Sequence, residues 1–172
     1  LIIEKSANKI FEIDDHIMAV AAGIISDARV LVDKARVLAQ QHRVTYDSAP
    51  NTESIVKDIA DVKQQFTQYG GARPFGVAMM FAGFNGEPQL FTTDVTGNYL
   101  KYKANAIGEN DEKIRDKLRE NYRDGMSVEE GIRLALGIFR DIQGEEFNVN
   151  RFDIGIIGSD KRLTKKSGED FA

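Results

Sequence analysis

The chain has 172 residues, a formal net charge of −4 and no cysteine. A chain of this length can form one domain with a sizeable hydrophobic core, and so mild a charge does not favour a nucleic-acid partner. The lack of cysteine excludes disulfides and thiolate metal sites but names no compartment. The sequence shows no signal peptide and no apolar run long enough to span a membrane.

The first part of the chain is predicted to consist of short strands and a long helix. Residues 1–3 and 10–13 have strand character, and residues 14–16 form a polar turn before the apolar strand at residues 17–22. After Gly23, apolar residues recur every three or four positions, which predicts a helix from about residue 26 to residue 46.

A second helix follows Pro50, with Asn51 or Thr52 as its N-cap. Its apolar residues step by four, three, four and three and end before Gly70 and Gly71, which stop the helix. The predicted buried face consists of Ile55, Ile59, Val62, Phe66 and Tyr69.

The middle of the chain predicts antiparallel strands. Residues 75–82 are apolar on both faces and therefore indicate a central strand. Asn85-Gly86 is a strong hairpin signal, and the chain returns as a strand at residues 89–93. A turn at residues 94–98 then leads to a strand near residues 100–107.

Two further helices and a last strand complete the pattern. Asn110 or Asp111 opens a third helix, with Ile114, Leu118 and Tyr122 on one face. Ser127 and Glu130 predict a capping box for a fourth helix. The predicted buried face of that helix consists of Val128, Ile132, Ala135, Phe139 and Ile142. Residues 152–158 predict a strand, and residues 161–166 a basic tail.

The order of these elements predicts an α+β fold. Pairs of helices separate groups of strands, and the strands within a group are joined by hairpins rather than by crossovers. The arrangement that buries the apolar strands and four amphipathic helices is a sandwich of two antiparallel sheets with helix pairs outside.

Catalytic and metal-binding motifs are not evident in the sequence. It contains no nucleophile elbow, P-loop or dinucleotide fingerprint. His16 and His42 are the only histidines, and residues 14–16 are far more often a solvated turn than a metal site. Ser167 beside residues 165–166 is interpreted as part of a terminus rather than as a Ser–Lys dyad. These patterns therefore indicate no metal and no cofactor.

The corner at Gly23 is a candidate binding site for an anion or a carboxylate. A helix start presents unpaired N–H groups and a positive dipole end, and glycine permits a close approach. If the strands at residues 10–13 and 17–22 form a hairpin, Lys9 lies at the same end as Gly23 and can point its ammonium toward the corner. On pattern alone, a plain turn and a surface lysine are the commoner structures.

Several blocks of the sequence resemble a known family. Residues 23–31 resemble the G-L-x-x-D-A-R-x-L signature of proteasome α subunits, with Ile24 in the place of the usual leucine. Residues 64–76 are similar to their Q-x-Y-T-Q-x-x-G-x-R-P-F/Y-G block. The resemblance, greatest to the archaeal type, continues in order through residues 2–10, 90–94 and 102–108.

The resemblance implies the four-layer αββα fold of N-terminal-nucleophile hydrolases, which agrees with the sandwich predicted above. It also implies a single α-type domain over residues 1–172 that lacks the N-terminal gate segment and the first strands. In this superfamily the nucleophile is a Thr, Ser or Cys at the start of the chain, and Leu1 cannot take that function. A non-catalytic subunit is therefore expected. Residues 109–113 depart from the usual family pattern.

The resemblance implies three protein partners and a cytoplasmic location, with no membrane or nucleic-acid partner. The partners are other α subunits in a seven-membered ring, the β subunits of the catalytic ring, and a regulatory ATPase whose C-terminal tails enter a pocket between neighbouring α subunits. The lysine of that pocket matches Lys9, and its Gly-Leu pair matches Gly23 and Ile24. These three residues are the predicted site.

Two alternatives stay open at this point. The chain could be a catalytic β-type threonine peptidase subunit whose N-terminus is missing, or a stand-alone binding module of the same fold.

Overall fold

The structure is a computed structural model that describes residues 9–171. The strand predicted at residues 1–3 lies outside these residues. The described strands are β1 (Phe11–Asp14), β2 (Ile17–Gly23), β3 (Val77–Phe84), β4 (Pro88–Thr93), β5 (Tyr99–Tyr102), β6 (Asp153–Ile157) and β7 (Leu163–Ser167). The described α-helices are α1 (Ile25–Tyr46), α2 (Thr52–Phe66), α3 (Asp111–Asn121) and α4 (Val128–Gln143). Short 3₁₀ turns cover Gly144–Glu146, Val149–Arg151 and Gly168–Phe171.

Strands β1 to β5 form an antiparallel sheet in sequence order. The predicted central strand is confirmed, because β3 lies between β2 and β4 and pairs Phe81 with Ala19 on one side and Phe91 on the other. The predicted hairpin at Asn85-Gly86 is also confirmed and joins β3 to β4. Buried and half-buried residues alternate along β3, so one face of the sheet is fully covered.

Helices α1 and α2 cover that buried face. Their apolar stripes pack with alternate residues of the strands in one continuous core, as the three-to-four spacing predicted. Each such side chain contributes about 1.5–3 kcal/mol when fully buried. The fully buried apolar members contributed by these elements include Leu31, Val32, Val56, Ile59, Val77, Met79 and Phe81.

A second layer lies on the other face of the five-stranded sheet. Strands β6 and β7 form a separate antiparallel pair, and β6 packs so closely that a Cβ on Gly155 would lie 2.6 Å from the Met18 sulfur. Helices α3 and α4 pack against each other around Ile114 and Ile138. A cleft of about 450 Å³ separates these helices from the sheet. Two antiparallel sheets and four helices confirm the α+β sandwich.

Some predicted boundaries were wrong. Helix α2 ends at Phe66, where the Thr67 hydroxyl donates to the Gln64 carbonyl, and Tyr69 is therefore 58% exposed rather than buried. Val128 is 54% exposed because it is the first residue of α4.

The last two strands also differ from the prediction. Strand β5 ends at Tyr102, well before residue 107. The basic stretch is not a tail: it contains strand β7, which pairs with β6. Lysines are common on edge strands because their charge discourages further pairing.

Candidate partner-binding site

The corner between β2 and α1 is exposed along four consecutive residues, 23–26. Gly23 ends β2 with φ +124°, a conformation that side-chain-bearing residues rarely adopt. A Cβ at this position would also collide with the carbonyl oxygen of Gly76. Glycine is therefore required at Gly23 for both backbone conformation and close packing, as expected for a corner that another backbone approaches.

The sequence predicted unpaired N–H groups at the start of the helix, and the structure shows which residues carry them. The Ile24 N–H is occupied, because it donates to the Gly76 carbonyl at 2.9 Å. Asp27 N–H donates back to the Ile24 carbonyl at 3.0 Å. The N–H groups of Ile25 and Ser26 have no acceptor within residues 9–171, and the Ile24 N-cap supplies no side-chain bond. These two N–H groups, one and two residues beyond Ile24, can receive an anion.

Lys9 lies at the same end of the sheet as this corner. The antiparallel register pairs Phe11 with Ala19, which places the beginning of β1 beside the end of β2. Lys9 is exposed two residues before β1 and forms no ion pair with other residues in the described range. The hairpin on which the prediction depended is confirmed, and the approach of the Lys9 ammonium to the corner stays a prediction.

An ion pair beside the corner was missed in the sequence. Asp27, buried in the first turn of α1, accepts two hydrogen bonds from the Arg73 guanidinium, each at 2.6 Å. The Gly76 N–H donates to the same carboxylate at 2.9 Å. The hydrogen bonds from Arg73, followed by that from Gly76, lower the pKa of Asp27 to about 2. Asp27 and Arg73 are 46 residues apart, so no local spacing could have indicated the pair.

A buried lysine was also missed. Lys63 is fully buried, and its ammonium donates to the Val77 and Asp94 carbonyls and to the Thr93 hydroxyl at 2.7–3.0 Å. Lys63 lies on the buried face of α2 together with Val56 and Ile59. The sequence pattern did not indicate this burial because a lysine is usually exposed. The contacts of Lys63 are all within the fold, and we assign it a structural function.

The polar turn at residues 14–16 is structural as well. His16 is buried rather than solvated, and its Nε2 donates to the Pro50 carbonyl at 2.8 Å. Asp14 instead accepts hydrogen bonds from Arg43 at 2.9 and 3.0 Å. No cluster of His, Cys, Asp or Glu that could hold a metal ion occurs among residues 9–171.

The interpretation of residues 165–167 as part of a terminus was wrong, because they lie in strand β7, which pairs with β6. The Lys165 ammonium donates to the Ile10 carbonyl at 3.2 Å, and the Ser167 hydroxyl accepts from the Glu169 N–H at 3.3 Å. The Lys165 ammonium and the Ser167 hydroxyl therefore each form a hydrogen bond with a backbone group and not with each other.

The described residues form a sandwich of two antiparallel sheets and four helices, which defines an α+β class of protein. A family model described as "Proteasome subunit" matches residues 1–157, and the chain belongs to that family.

Curated relatives narrow the similarity to the α type. The chain is 46% identical over 166 residues to "Proteasome subunit alpha" of Thermococcus sibiricus, covering 96% of this chain and 64% of the relative. It is also 46% identical to the protein of the same name from Pyrococcus horikoshii, and the match covers 99% of this chain and 65% of the relative. The chain is 40% identical to "Proteasome subunit alpha" of Methanosarcina thermophila, and this match covers 99% of this chain and 70% of the relative. The chain thus spans less than two thirds of the first two relatives.

The described part of the chain contains no helix with the length and apolar character needed to cross a membrane.

Proposed function

We propose that the chain is a non-catalytic subunit of the α type in a proteasome core particle. The observation that supports this proposal is the identity of 40–46% over nearly the whole chain to archaeal proteins named as α subunits. In this proposal the subunit joins other α subunits in a seven-membered ring, stacks on the β subunits that cut peptides, and acts in the cytoplasm as scaffold and gate.

We further propose that Lys9, Gly23 and Ile24 receive the C-terminal tail of a regulatory ATPase. The geometry supports this in three ways: the corner is exposed, the next two N–H groups have no acceptor among the residues that the structure describes, and Lys9 lies at the same end of the sheet. A carboxylate held by an ammonium and by N–H groups gains charge-assisted hydrogen bonds, each contributing roughly 1.5–3 kcal/mol. Several linked tails would bind together through effective concentration.

Substitution of Lys9 tests the tail pocket. In the full-length assembled ring, Lys9→Ala should weaken ATPase-stimulated peptide hydrolysis roughly tenfold or more, because one charge-assisted bond per tail is lost. Native mass spectrometry should show the ring intact, since Lys9 is an exposed residue.

The matched control is Lys113→Ala, which removes an exposed lysine from α3. It should leave stimulation unchanged. If Lys9→Ala also left stimulation unchanged, Lys9 would be removed from the pocket.

A further inference from the structure

A bidentate ion pair ties the start of α1 to the segment before β3. The two Nη atoms of Arg73 each bind one carboxylate oxygen of Asp27, and the Gly76 N–H binds the same carboxylate. Asp27 is buried, whereas Arg73 is 62% exposed. Because both carboxylate oxygens are held, the carboxylate has a fixed orientation within the first helical turn.

The same segment fixes the position of the candidate site. The Gly76 carbonyl accepts the Ile24 N–H, and it also occupies the space that a Cβ on Gly23 would need. A Cβ on Gly76 would in turn lie 2.6 Å from Cδ1 of Ile24. The corner therefore rests directly on the segment that Arg73 and Asp27 hold in place.

The pair also sets the charge at the helix start. A carboxylate in the first turn interacts favourably with the helix dipole, but an unpaired one repels a second carboxylate brought to the same place. Arg73 neutralises the charge of Asp27. The N–H groups of Ile25 and Ser26, which find no acceptor in the described part of the chain, therefore lie near a neutral ion pair rather than near a bare negative charge.

We propose that Arg73 is a specificity residue of the tail pocket: by pairing with Asp27 it neutralises the carboxylate beside the Gly23–Ile24 corner and makes the corner receptive to a C-terminal carboxylate. This inference rests on the proposed function. It assigns opposite electrostatic effects to the two partners, because loss of Arg73 leaves a negative charge and loss of the Asp27 charge leaves a positive one. A purely mechanical clamp would be weakened equally by either loss.

The test measures tail binding to the full-length assembled ring by fluorescence anisotropy. The probes are two labelled synthetic peptides with the sequence of the ATPase C terminus, one with a free carboxylate and one with a C-terminal amide. The variants are Arg73→Gln, Asp27→Asn and the double variant. Lys57→Gln is the matched control because it breaks the exposed ion pair with Asp61 on α2.

Arg73→Gln should lower the affinity for the carboxylate peptide about three- to tenfold, with a smaller change for the amide. Asp27→Asn should leave carboxylate binding equal or tighter, and the double variant should return it to within about threefold of the natural protein. The loss in Arg73→Gln should shrink at high salt, because screening weakens the repulsion. Lys57→Gln should change none of these values.

Equal weakening by Arg73→Gln and Asp27→Asn, or an unchanged preference for the carboxylate in Arg73→Gln, would overturn the inference. If the Arg73→Gln ring does not assemble, Arg73→Lys keeps the charge without the bidentate geometry and should retain the preference; its loss there would also overturn the inference. If the natural ring itself fails to prefer the carboxylate and Lys9→Ala has no effect, the proposed tail pocket is wrong, which is a distinct outcome.

Discussion

At the scale of single residues, the pKa values of two charged side chains are lowered by different causes: hydrogen bonds for Asp27 and burial for Lys63. Asp27 keeps its charge because Arg73 and the Gly76 N–H stabilise the carboxylate, which lowers its pKa. Lys63 has neutral hydrogen-bond partners, and burial lowers its pKa to about 8 although the charge of Asp94 acts in the opposite direction. Asp27 lies beside the proposed site, whereas Lys63 lies in the core.

Substitution of Lys63 should reveal both its hydrogen bonds and its lowered pKa. At neutral pH, Lys63→Met should reduce the free energy of unfolding by about 1–3 kcal/mol, because two carbonyls and a hydroxyl lose their donor. The folded pKa of about 8 lies below the unfolded value of 10.5. The unfolded chain therefore binds more protons between these values, and Lys63 adds stability as the pH rises through this window.

Urea denaturation at a series of pH values provides the measurement for Lys63. The difference in unfolding free energy between the natural protein and Lys63→Met should be constant below about pH 8 and should grow toward about pH 10.5. Lys34→Met, which alters an exposed lysine of α1, should show no such growth. A difference that stayed flat with pH would show that the Lys63 ammonium titrates normally.

At the scale of elements, the start of α2 is attached to the β3–β4 hairpin by a small polar network. The Asn85 side-chain oxygen accepts from the Thr52 N–H at 2.8 Å and from its hydroxyl at 2.6 Å. The Asn85 amide donates to the Pro50 carbonyl, which also accepts from His16. The turn asparagine predicted from the hairpin signal thus has a second function as a cap for a distant helix.

Replacement of that asparagine should destabilise the fold. Asn85→Ala leaves the fully buried Thr52 hydroxyl without a partner, and the free energy of unfolding should fall by about 1–3 kcal/mol. Chemical denaturation followed by circular dichroism measures the loss. Asn121→Ala, which removes one exposed bond to the Lys117 carbonyl, should cost far less. Equal losses in the two variants would mean that the network contributes nothing specific.

The elements themselves were predictable where a local rule decides them. The capping box of Ser127 and Glu130 is present in both directions, at 2.7 and 3.2 Å, and Asn51 caps α2. Local rules failed where the partner is distant in sequence. The basic residues of β7 form a strand only because β6 lies beside them, and the Arg73 guanidinium is held in place by Asp27, which is distant in sequence.

At the scale of the whole molecule, the sandwich could be predicted because hairpins and helix pairs leave few arrangements that bury every apolar stripe. The candidate site was only partly predictable. The hairpin that brings Lys9 and Gly23 to one end follows from the sequence, whereas the occupied Ile24 N–H depends on the Gly76 carbonyl. That contact joins the residue after β2 to the residue before β3, and the two are far apart in the chain.

The outward side of α1 is consistent with a subunit that other subunits cover. Val30, Val37 and Val44 lie seven residues apart on this helix. All three are exposed, and 88% of Val44 is accessible. Spacing by seven places side chains along one side of a helix. Exposed apolar rows are typical of surfaces that take part in association.

Assembly of the full-length protein is the remaining prediction, and it separates the proposed function from its two alternatives. Native mass spectrometry should show seven-membered rings, because a subunit that contacts its neighbour through two different surfaces closes into a ring when the rotation permits. A monomer under the same conditions would instead support a stand-alone binding module. Intact-mass analysis of the mature chain gives the second distinction: a Thr at its first position would indicate a β-type peptidase, since that residue supplies both the nucleophile and, through its amine, the base.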